Sequence, residues 1–284
     1  MSHLQDLKFS LIVPTINRDK ELERLLISLI AQTYKNYELI IIDQNDDDRI
    51  EKLILKYEQK FHFGIKHIKT TIKGASHARN LGIKRCRGNI ISFPDDDCEY
   101  DSLVLQQMYK LFLDPENYDI VTANFVDFSE IKILPEKITK LNKYNIWPLG
   151  YEFVIFLRRH VIDKIGLFDE ALGVGARTPY GSGEGTDYLL RALQQNLKIV
   201  NCNTALVKHE KVDFSKNGIA KKAFRYSVGK RHVLDRHNYN YFFILLNIWY
   251  PLVKLLVNFY SKSKVKYFWY QFLGRFHFAR KIEM

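Results

Sequence analysis

Residues 90 to 100 read Ile-Ile-Ser-Phe-Pro-Asp-Asp-Asp-Cys-Glu-Tyr. Ile90, Ile91 and Phe93 make an apolar run with the length of a short buried strand, and the run ends in three consecutive carboxylates, Asp95, Asp96 and Asp97. Adjacent negative charges repel, so a fold keeps three of them at a strand end where something cationic meets them. Hard divalent cations take oxygen ligands, and Mg²⁺ is commonly held by one or two carboxylates together with substrate phosphates. In open α/β sheets, ligands bind beyond the C-terminal ends of the strands. A solvated acidic turn capping the next helix through Asp101 or Ser102 would leave the same trace. The surrounding chain decides between the two.

Upstream, Phe9 to Val13 is an apolar run that Pro14 is expected to end, and Asn17 is placed to cap a helix carrying Leu22, Leu25, Leu26, Leu29 and Ile30 at helical spacing. Tyr37 to Ile42 reads as a second buried strand ending at Asp43. A helix through Ile50, Leu53, Ile54 and Tyr57 follows, then a short strand over Ile65 to Ile68 and a helix opening at Gly74-Ala75-Ser76. Strands alternating with helices at this spacing predict βαβ units and a parallel, doubly wound sheet. Downstream, a helix through Leu103, Gln106, Gln107 and Leu111 leads to a strand over Tyr118 to Phe125, and Ile131 to Leu149 has no clear period.

Four stretches in this order resemble family 2 glycosyltransferases: Pro14-Thr15, the strand end at Asp43, Gly74-Ala75-Ser76-His77-Ala78-Arg79-Asn80-Leu81-Gly82, and Phe93-Pro94-Asp95-Asp96-Asp97. The resemblance implies the GT-A fold, an α/β architecture with a mostly parallel sheet flanked by helices. It places a catalytic domain over residues 1–210, with its nucleotide-binding half in 1–100 and its acceptor half in 101–210. It implies that Pro14, Thr15 and Arg18 contact the nucleotide, and that Asp43 accepts hydrogen bonds from its base or ribose. Arg79 is expected near the nucleotide or the aspartates. Asp95, Asp96 and Asp97 would form the DxD-type motif, with Asp97 as metal ligand, Asp95 nearer the ribose and a second candidate ligand, and Mn²⁺ or Mg²⁺ as the cofactor.

In the second half, Gly181-Ser182-Gly183-Glu184-Gly185-Thr186-Asp187 opens a helix through Leu189, Leu190 and Leu193. Family members usually carry an acid directly after the glutamate, and that acid serves as catalytic base. Here Gly185 stands in its place, so Glu184 becomes the first choice and Asp187 the second. A helix N-terminus favouring acids through its dipole accounts for Asp187 but not for the glycines around Glu184. His209 ends an apolar run and, by the resemblance, would complete the metal or diphosphate site. Arg225-Tyr226-Ser227-Val228-Gly229-Lys230-Arg231 resembles a flexible basic loop closing over the diphosphate through Lys230 and Arg231. Its plain alternative is a solvated helix face.

Composition sets the remaining bounds. The 284 residues carry a formal charge of +11, and its distribution is uneven. From Lys211 onward Lys and Arg outnumber Asp and Glu by 15 to three, while the preceding residues nearly balance. Cys86, Cys98 and Cys202 are isolated, without CxxC spacing, which argues against a disulfide framework or zinc site and fits a reducing compartment. The start, MSHLQDLKFS, has no apolar core of signal-peptide length. These features predict a cytoplasmic enzyme, peripheral on the inner face of a membrane.

Residues 211–284 read as a basic, aromatic, helical extension. The run Tyr241 to Leu246 is apolar, but Asn247, Pro251 and Lys254 interrupt it short of a ~20-residue span. Tyr267, Phe268, Trp269, Tyr270, Phe272, Phe276 and Phe278, interleaved with Lys264, Lys266, Arg275, Arg280 and Lys281, suit a helix pair lying on an anionic membrane surface. A helix pair packed on the catalytic domain or on a second subunit fits as well, so an oligomer stays open. The function expected is metal-dependent, inverting transfer of a sugar from a nucleotide-diphosphate donor, with UDP as the expected nucleotide, to a saccharide or lipid-linked saccharide. A nucleotidyltransferase would also use acidic strand ends with Mg²⁺, but the N-terminal region lacks a Gly-rich phosphate loop. A non-enzymatic basic protein bound to nucleic acid would lack an acidic pocket; only the tail fits that reading, and no nucleic-acid partner is expected.

Overall fold

The computed structural model describes residues 7–62, 64–130 and 135–277. The first four residues of the aperiodic 131–149 segment, and the tail residues Phe278, Arg280 and Lys281, lie outside them. The chain divides into two compact units. One comprises Met1–Lys73, His77–Phe168 and Gly185–Glu210, and the other Gly74–Ser76, Asp169–Glu184 and Lys211–Met284.

The first unit is built on one sheet. Strands β1 (Phe9–Thr15), β2 (Tyr37–Asp43), β3 (Ile65–Lys69) and β4 (Ile90–Ser92) run parallel in the spatial order β3-β2-β1-β4. Every residue of β1 is buried, as are all but one of β2, which is what near-continuous apolar runs give when helices cover both faces of a parallel sheet. Helices α1 (Asp19–Ile30), α2 (Arg49–Tyr57) and α3 (Ala75–Ile83) make the crossovers. Leu22, Leu25, Leu26 and Leu29 of α1 are all buried, at the spacing the sequence gave them.

Beyond β4 the sheet becomes mixed. It continues through β8 (Ile155–Arg158), antiparallel to both neighbours, then β6 (Ile120–Val126), β9 (Ile199–Lys208) and β5 (Glu99–Tyr100), with β7 (Ile138–Lys140) on the side of β9. Helices α4 (Val104–Phe112), α5 (Arg159–Ile165) and α6 (Glu184–Gln194) connect these strands. The parallel order expected from the alternation holds for the first four strands and returns where β6 pairs parallel with β9. β8 comes back antiparallel beside β4, after the segment that showed no period.

Three local expectations differ from the structure. Pro14 lies inside β1, in register with Ile42. β4 pairs with β1 only from Phe9 to Leu11, so at Pro14 one side of β1 has no strand to which a missing N–H would matter. Asn17 does not cap α1; the cap position is Arg18. Asn17 adopts φ +58, the left-handed region that asparagine tolerates, and donates its backbone N–H to Asn45 Oδ1 at 2.7 Å. Helix α4 likewise starts at Val104 after Leu103, with Asp101 accepting from the Leu103 N–H rather than capping directly.

The second unit is mainly helical, with α7 (Ile219–Arg236), α8 (Tyr241–Val257) and α9 (Lys262–Phe276). α9 lies along both α7 and α8. Arg275 of α9 donates to the Asn247 carbonyl of α8 at 2.7 Å. Among the described residues no helix is long and apolar enough to cross a membrane.

Candidate active site

The three aspartates follow β4 directly, beside the end of β1, and two guanidinium groups meet them. Arg18 Nη1 lies 2.8 Å from Asp96 Oδ1 and 2.5 Å from Asp97 Oδ2. Arg79 Nη2 lies 2.7 Å from Asp95 Oδ1, with its side chain only 3% exposed. Asp96 is the buried member; burial pushes its pKa up to about 6 even against the neighbouring Arg18 charge. Asp95 and Asp97 keep exposed carboxylates, at 26% and 20%. The cationic partner that three adjacent acids demand is thus supplied in part by the chain itself. Thr15, at the end of β1, is buried, and its hydroxyl donates to the Arg18 carbonyl at 3.5 Å.

His209 follows β9 and reaches the same loop. Its Nε2 lies 3.6 Å from Asp97 Oδ1, its Nδ1 is 2.7 Å from the Glu210 carbonyl, and its ring stacks on Phe153 with centroids 4.8 Å apart and planes 4° off parallel. A carbonyl only accepts, so Nδ1 carries the hydrogen, and a neutral ring then turns the Nε2 lone pair toward a carboxylate oxygen. Two acceptors face one another there, an arrangement that a cation between them satisfies. Asp97 and His209 therefore fit a divalent ion, with the Glu210 carbonyl fixing the imidazole through its other nitrogen, as metal sites commonly do. The Cys98 thiol lies in the same group, but it is fully buried and burial pushes its pKa well up, so it stays a protonated thiol. The donors left are oxygen and imidazole nitrogen, which suit Mn²⁺ or Mg²⁺ better than a thiophilic metal. Asp95, the second ligand expected from sequence, is outside this group and held by Arg79.

Asp43 is completely buried at the end of β2. Its Oδ1 accepts from the backbone and side chain of Asn45, and its Oδ2 lies 3.0 Å from His67 Nε2. It organises the loop after β2 as well as sitting at the strand end where a nucleoside was expected. Asn80 is a residue the sequence left without a role. It clasps the backbone of Phe168, donating to its carbonyl at 3.0 Å and accepting from its N–H at 2.9 Å, and so fixes α3 and with it Arg79.

The two candidate bases differ. Asp187 has no exposed surface and pairs with Arg191 Nε at 2.8 Å one helical turn on, while Arg191 also donates to the carbonyls of Ile165 and Leu167. Sealed in this ion pair, Asp187 presents no surface from which to take a proton. Glu184 opens α6 and is 5% exposed. Gly173, at φ +104, comes so close that a Cβ there would lie 2.4 Å from Glu184 Oε1.

Residues 225–231, expected as a closing loop, lie inside the 18-residue helix α7. Arg231 pairs with Asp235 at 2.9 Å on the same helix. Lys230 is partly enclosed; burial, with the Arg275 charge second, pulls its pKa down to about 7. Both residues belong to the fabric of the helical unit.

Glu152 was missed. It sits at the start of the 3-10 turn before β8, 8% exposed, with Oε2 3.7 Å from Arg79 Nη2. The Gly185 N–H donates to its Oε1. A lone acid in a stretch without period gives no signal in the sequence.

A model for glycosyl transferase family 2 matches residues 10–166, more than half of the chain. An uncharacterized glycosyltransferase of Haemophilus influenzae is 30% identical over 200 residues, 66% of this chain and 62% of that protein. The poly(ribitol-phosphate) beta-N-acetylglucosaminyltransferase TarS of Staphylococcus aureus is 28% identical over 153 residues, 51% of this chain and 26% of its own length. The chain thus spans less than two thirds of these curated relatives. Among solved structures, residues 1–349 of S. aureus TarS match with a TM-score of 0.61 at 17% identity, over 96% of this chain and 93% of that one. The same TarS segment has been solved with UDP-GlcNAc. The mannosyltransferase PcManGT from Pyrobaculum calidifontis, in complex with GDP-Man and Mn²⁺, matches with a TM-score of 0.67 at 14% identity, over 95% and 86% of the two chains. At these identities the structural matches show the GT-A fold.

Proposed function

The chain belongs to glycosyl transferase family 2, and from that premise we propose that it moves a sugar from a UDP-sugar to a saccharide or lipid-linked saccharide acceptor, inverting the anomeric carbon. The observation that carries this reading is the loop Asp95–Asp97, with Arg18 and Arg79 on one side and His209 facing Asp97. The UDP-GlcNAc complex of TarS supports UDP as the donor nucleotide.

Asp97 and His209 would hold a divalent metal. When bound, that ion supplies positive charge for the departing diphosphate. The residues do the rest. Arg18 bonds two of the aspartates and, being 42% exposed, keeps part of its side chain open to a phosphate. Thr15 and Pro14 line the end of β1 where the nucleotide lies, Asp43 meets its base or ribose, and Asp95 and Asp96 complete the ribose side. The acceptor hydroxyl attacks the anomeric carbon opposite the leaving diphosphate, and a carboxylate takes its proton. Sequence places Glu184 in that role.

The membrane-facing part of the reading rests on α8. Phe242, Leu246, Trp249, Val253 and Leu256 are all at least half exposed and fall at helical spacing, with Phe259 and Tyr260 following at 77% and 71%. Lys254, Lys262, Lys264 and Lys266 lie along the same stretch. An exposed apolar stripe flanked by lysines suits an anionic membrane surface of the cytoplasmic face, where a lipid-linked acceptor is presented.

The test is thermal denaturation of the full chain with UDP, GDP, CDP and ADP, each with and without Mn²⁺, followed by nucleotide release from the matching sugar donors. UDP is expected to stabilise only with the metal. Equal stabilisation by all four nucleotides, or none, would sink the reading.

A further inference from the structure

Residue 185 is glycine for a reason visible in the structure. A Cβ built there would lie 2.5 Å from Glu152 Oε1 and 2.6 Å from the Gly150 carbonyl. Both distances are shorter than atoms tolerate, so any side chain is excluded by what already occupies the space. That occupant is a carboxylate. Its Oε1 lies about as far from that Cβ as an aspartate's carboxyl oxygen lies from its own Cβ, and it accepts the backbone N–H of Gly185 near the positive end of α6.

The surroundings of Glu152 tie it to the aspartate loop from two directions. Arg79, which bonds Asp95 at 2.7 Å, lies 3.7 Å from Glu152 Oε2. The next residue, Phe153, carries the ring on which His209 stacks, and His209 faces Asp97. The Glu152 side chain keeps 11% of its surface exposed, unlike the sealed Asp187 at 0%. One of these two acids is locked into a closed pair. The other keeps part of its side-chain surface open.

We infer that Glu152 is the catalytic base of this enzyme, supplying from the turn before β8 the carboxylate that position 185 lacks, and that it takes this role in place of Glu184. The inference rests on the glycosyltransfer reading. In the step, the acceptor O–H bond breaks and its proton passes to a Glu152 carboxylate oxygen. The acceptor oxygen uses the freed electron pair to form the new bond to the anomeric carbon. The bond from that carbon to the diphosphate oxygen breaks, and its electron pair leaves with UDP.

The experiment follows UDP release from a panel of UDP-sugars, UDP-N-acetylglucosamine included, with water as the acceptor, using the full chain as wild type, E152Q and E152A. Melting temperature and UDP affinity are measured on each. Glutamine keeps an oxygen for the Gly185 N–H but cannot take a proton. E152Q is therefore expected to lose ~10²–10⁴-fold in kcat with unchanged UDP affinity and melting, and added formate is expected to restore part of the E152A rate. An E152Q rate within tenfold of wild type overturns the assignment. So does a loss of rate that tracks weakened UDP binding and that formate leaves untouched, which makes Glu152 a structural tether. A wild type that releases UDP from none of the sugars sinks the transferase reading itself, and the role of Glu152 with it.

Discussion

The sheet and the C-terminal helices treat the same kinds of residue in opposite ways. In β1 and β2 apolar side chains are enclosed and charge gathers where the strands stop. In α8 only Ile248 and Pro251 of 17 residues are buried, while Tyr241, Phe242 and Leu256 are exposed at 75%, 70% and 70%. A sheet covered on both faces has spent its apolar surface on its own stability, so its exposed features are chemical. A helix that leaves its apolar stripe outside has kept that surface for a partner.

The contrast is most sharply tested inside the sheet unit, where buried charge serves structure at Asp187. Removing one member of a buried pair leaves the other uncompensated, so D187A is expected to cost roughly 3–5 kcal/mol in chemical denaturation. A loss below about 1 kcal/mol would mean that the pair with Arg191 is not the structural device described. At the strand ends the expectation is reversed. D97N should leave the unliganded melt nearly unchanged and remove the metal-dependent stabilisation by UDP. That stabilisation is worth about 2.7 kcal/mol when UDP is a hundredfold above its dissociation constant. Calorimetry showing undiminished UDP affinity in Mn²⁺ would move the metal away from Asp97.

For the helices, the informative change is a substitution rather than a truncation, because α9 lies along α7 and cutting it would expose the interior of the unit. F242S removes one exposed ring, and losing ~1.5 kcal/mol of apolar burial corresponds to about tenfold weaker binding to anionic vesicles. Sedimentation of the full chain with anionic and with neutral liposomes measures it. Wild type that stays in the supernatant, with a dimer in solution that F242S dissociates, assigns the stripe to a second copy instead. Read per pH unit, the smallest effect concerns Lys230, whose pKa falls from 10.5 to about 7 on folding. Between those values the unfolded chain carries a proton that the native protein does not, so stability rises with pH, by at most about 1.4 kcal/mol per unit. In K230M that slope should be lost. Denaturation curves at pH 7 and pH 9 decide it, and an unchanged slope would place the lysine in water.

Legibility followed the kind of signal each residue carries. The first four strands were readable because burial on both faces turns them into unbroken apolar runs, and the aspartate loop because three adjacent charges are costly without a cation. The antiparallel return of β8 was not, since four apolar residues are compatible with either direction. Asp187 looked like a candidate base because spacing along a helix says nothing about whether a carboxylate is sealed by an arginine one turn on. Residues 225–231 looked like a mobile basic loop because charge count does not distinguish a loop from a helix whose arginine is already paired. Glu152 was invisible for the reverse reason: its meaning comes from Gly185, 33 positions away in sequence and joined to it by one backbone hydrogen bond.

The short length of β4 reaches further than its three residues suggest. Its last pair with β1 is Ser92 with Leu11, and β1 runs on to Thr15. Four residues at about 3.3 Å each make a step of about 13 Å between neighbouring strands. The aspartate loop leaves the sheet from the bottom of that step and lies alongside the taller strand. The depth at which the aspartate loop sits is therefore written in the strand lattice, independently of the side chains it carries. Changing the loop residues would alter the chemistry of the floor, whereas lengthening β4 by two residues, which preserves the alternation of faces, would raise that floor by about 7 Å. How deep the loop lies in this architecture is a matter of where one strand stops.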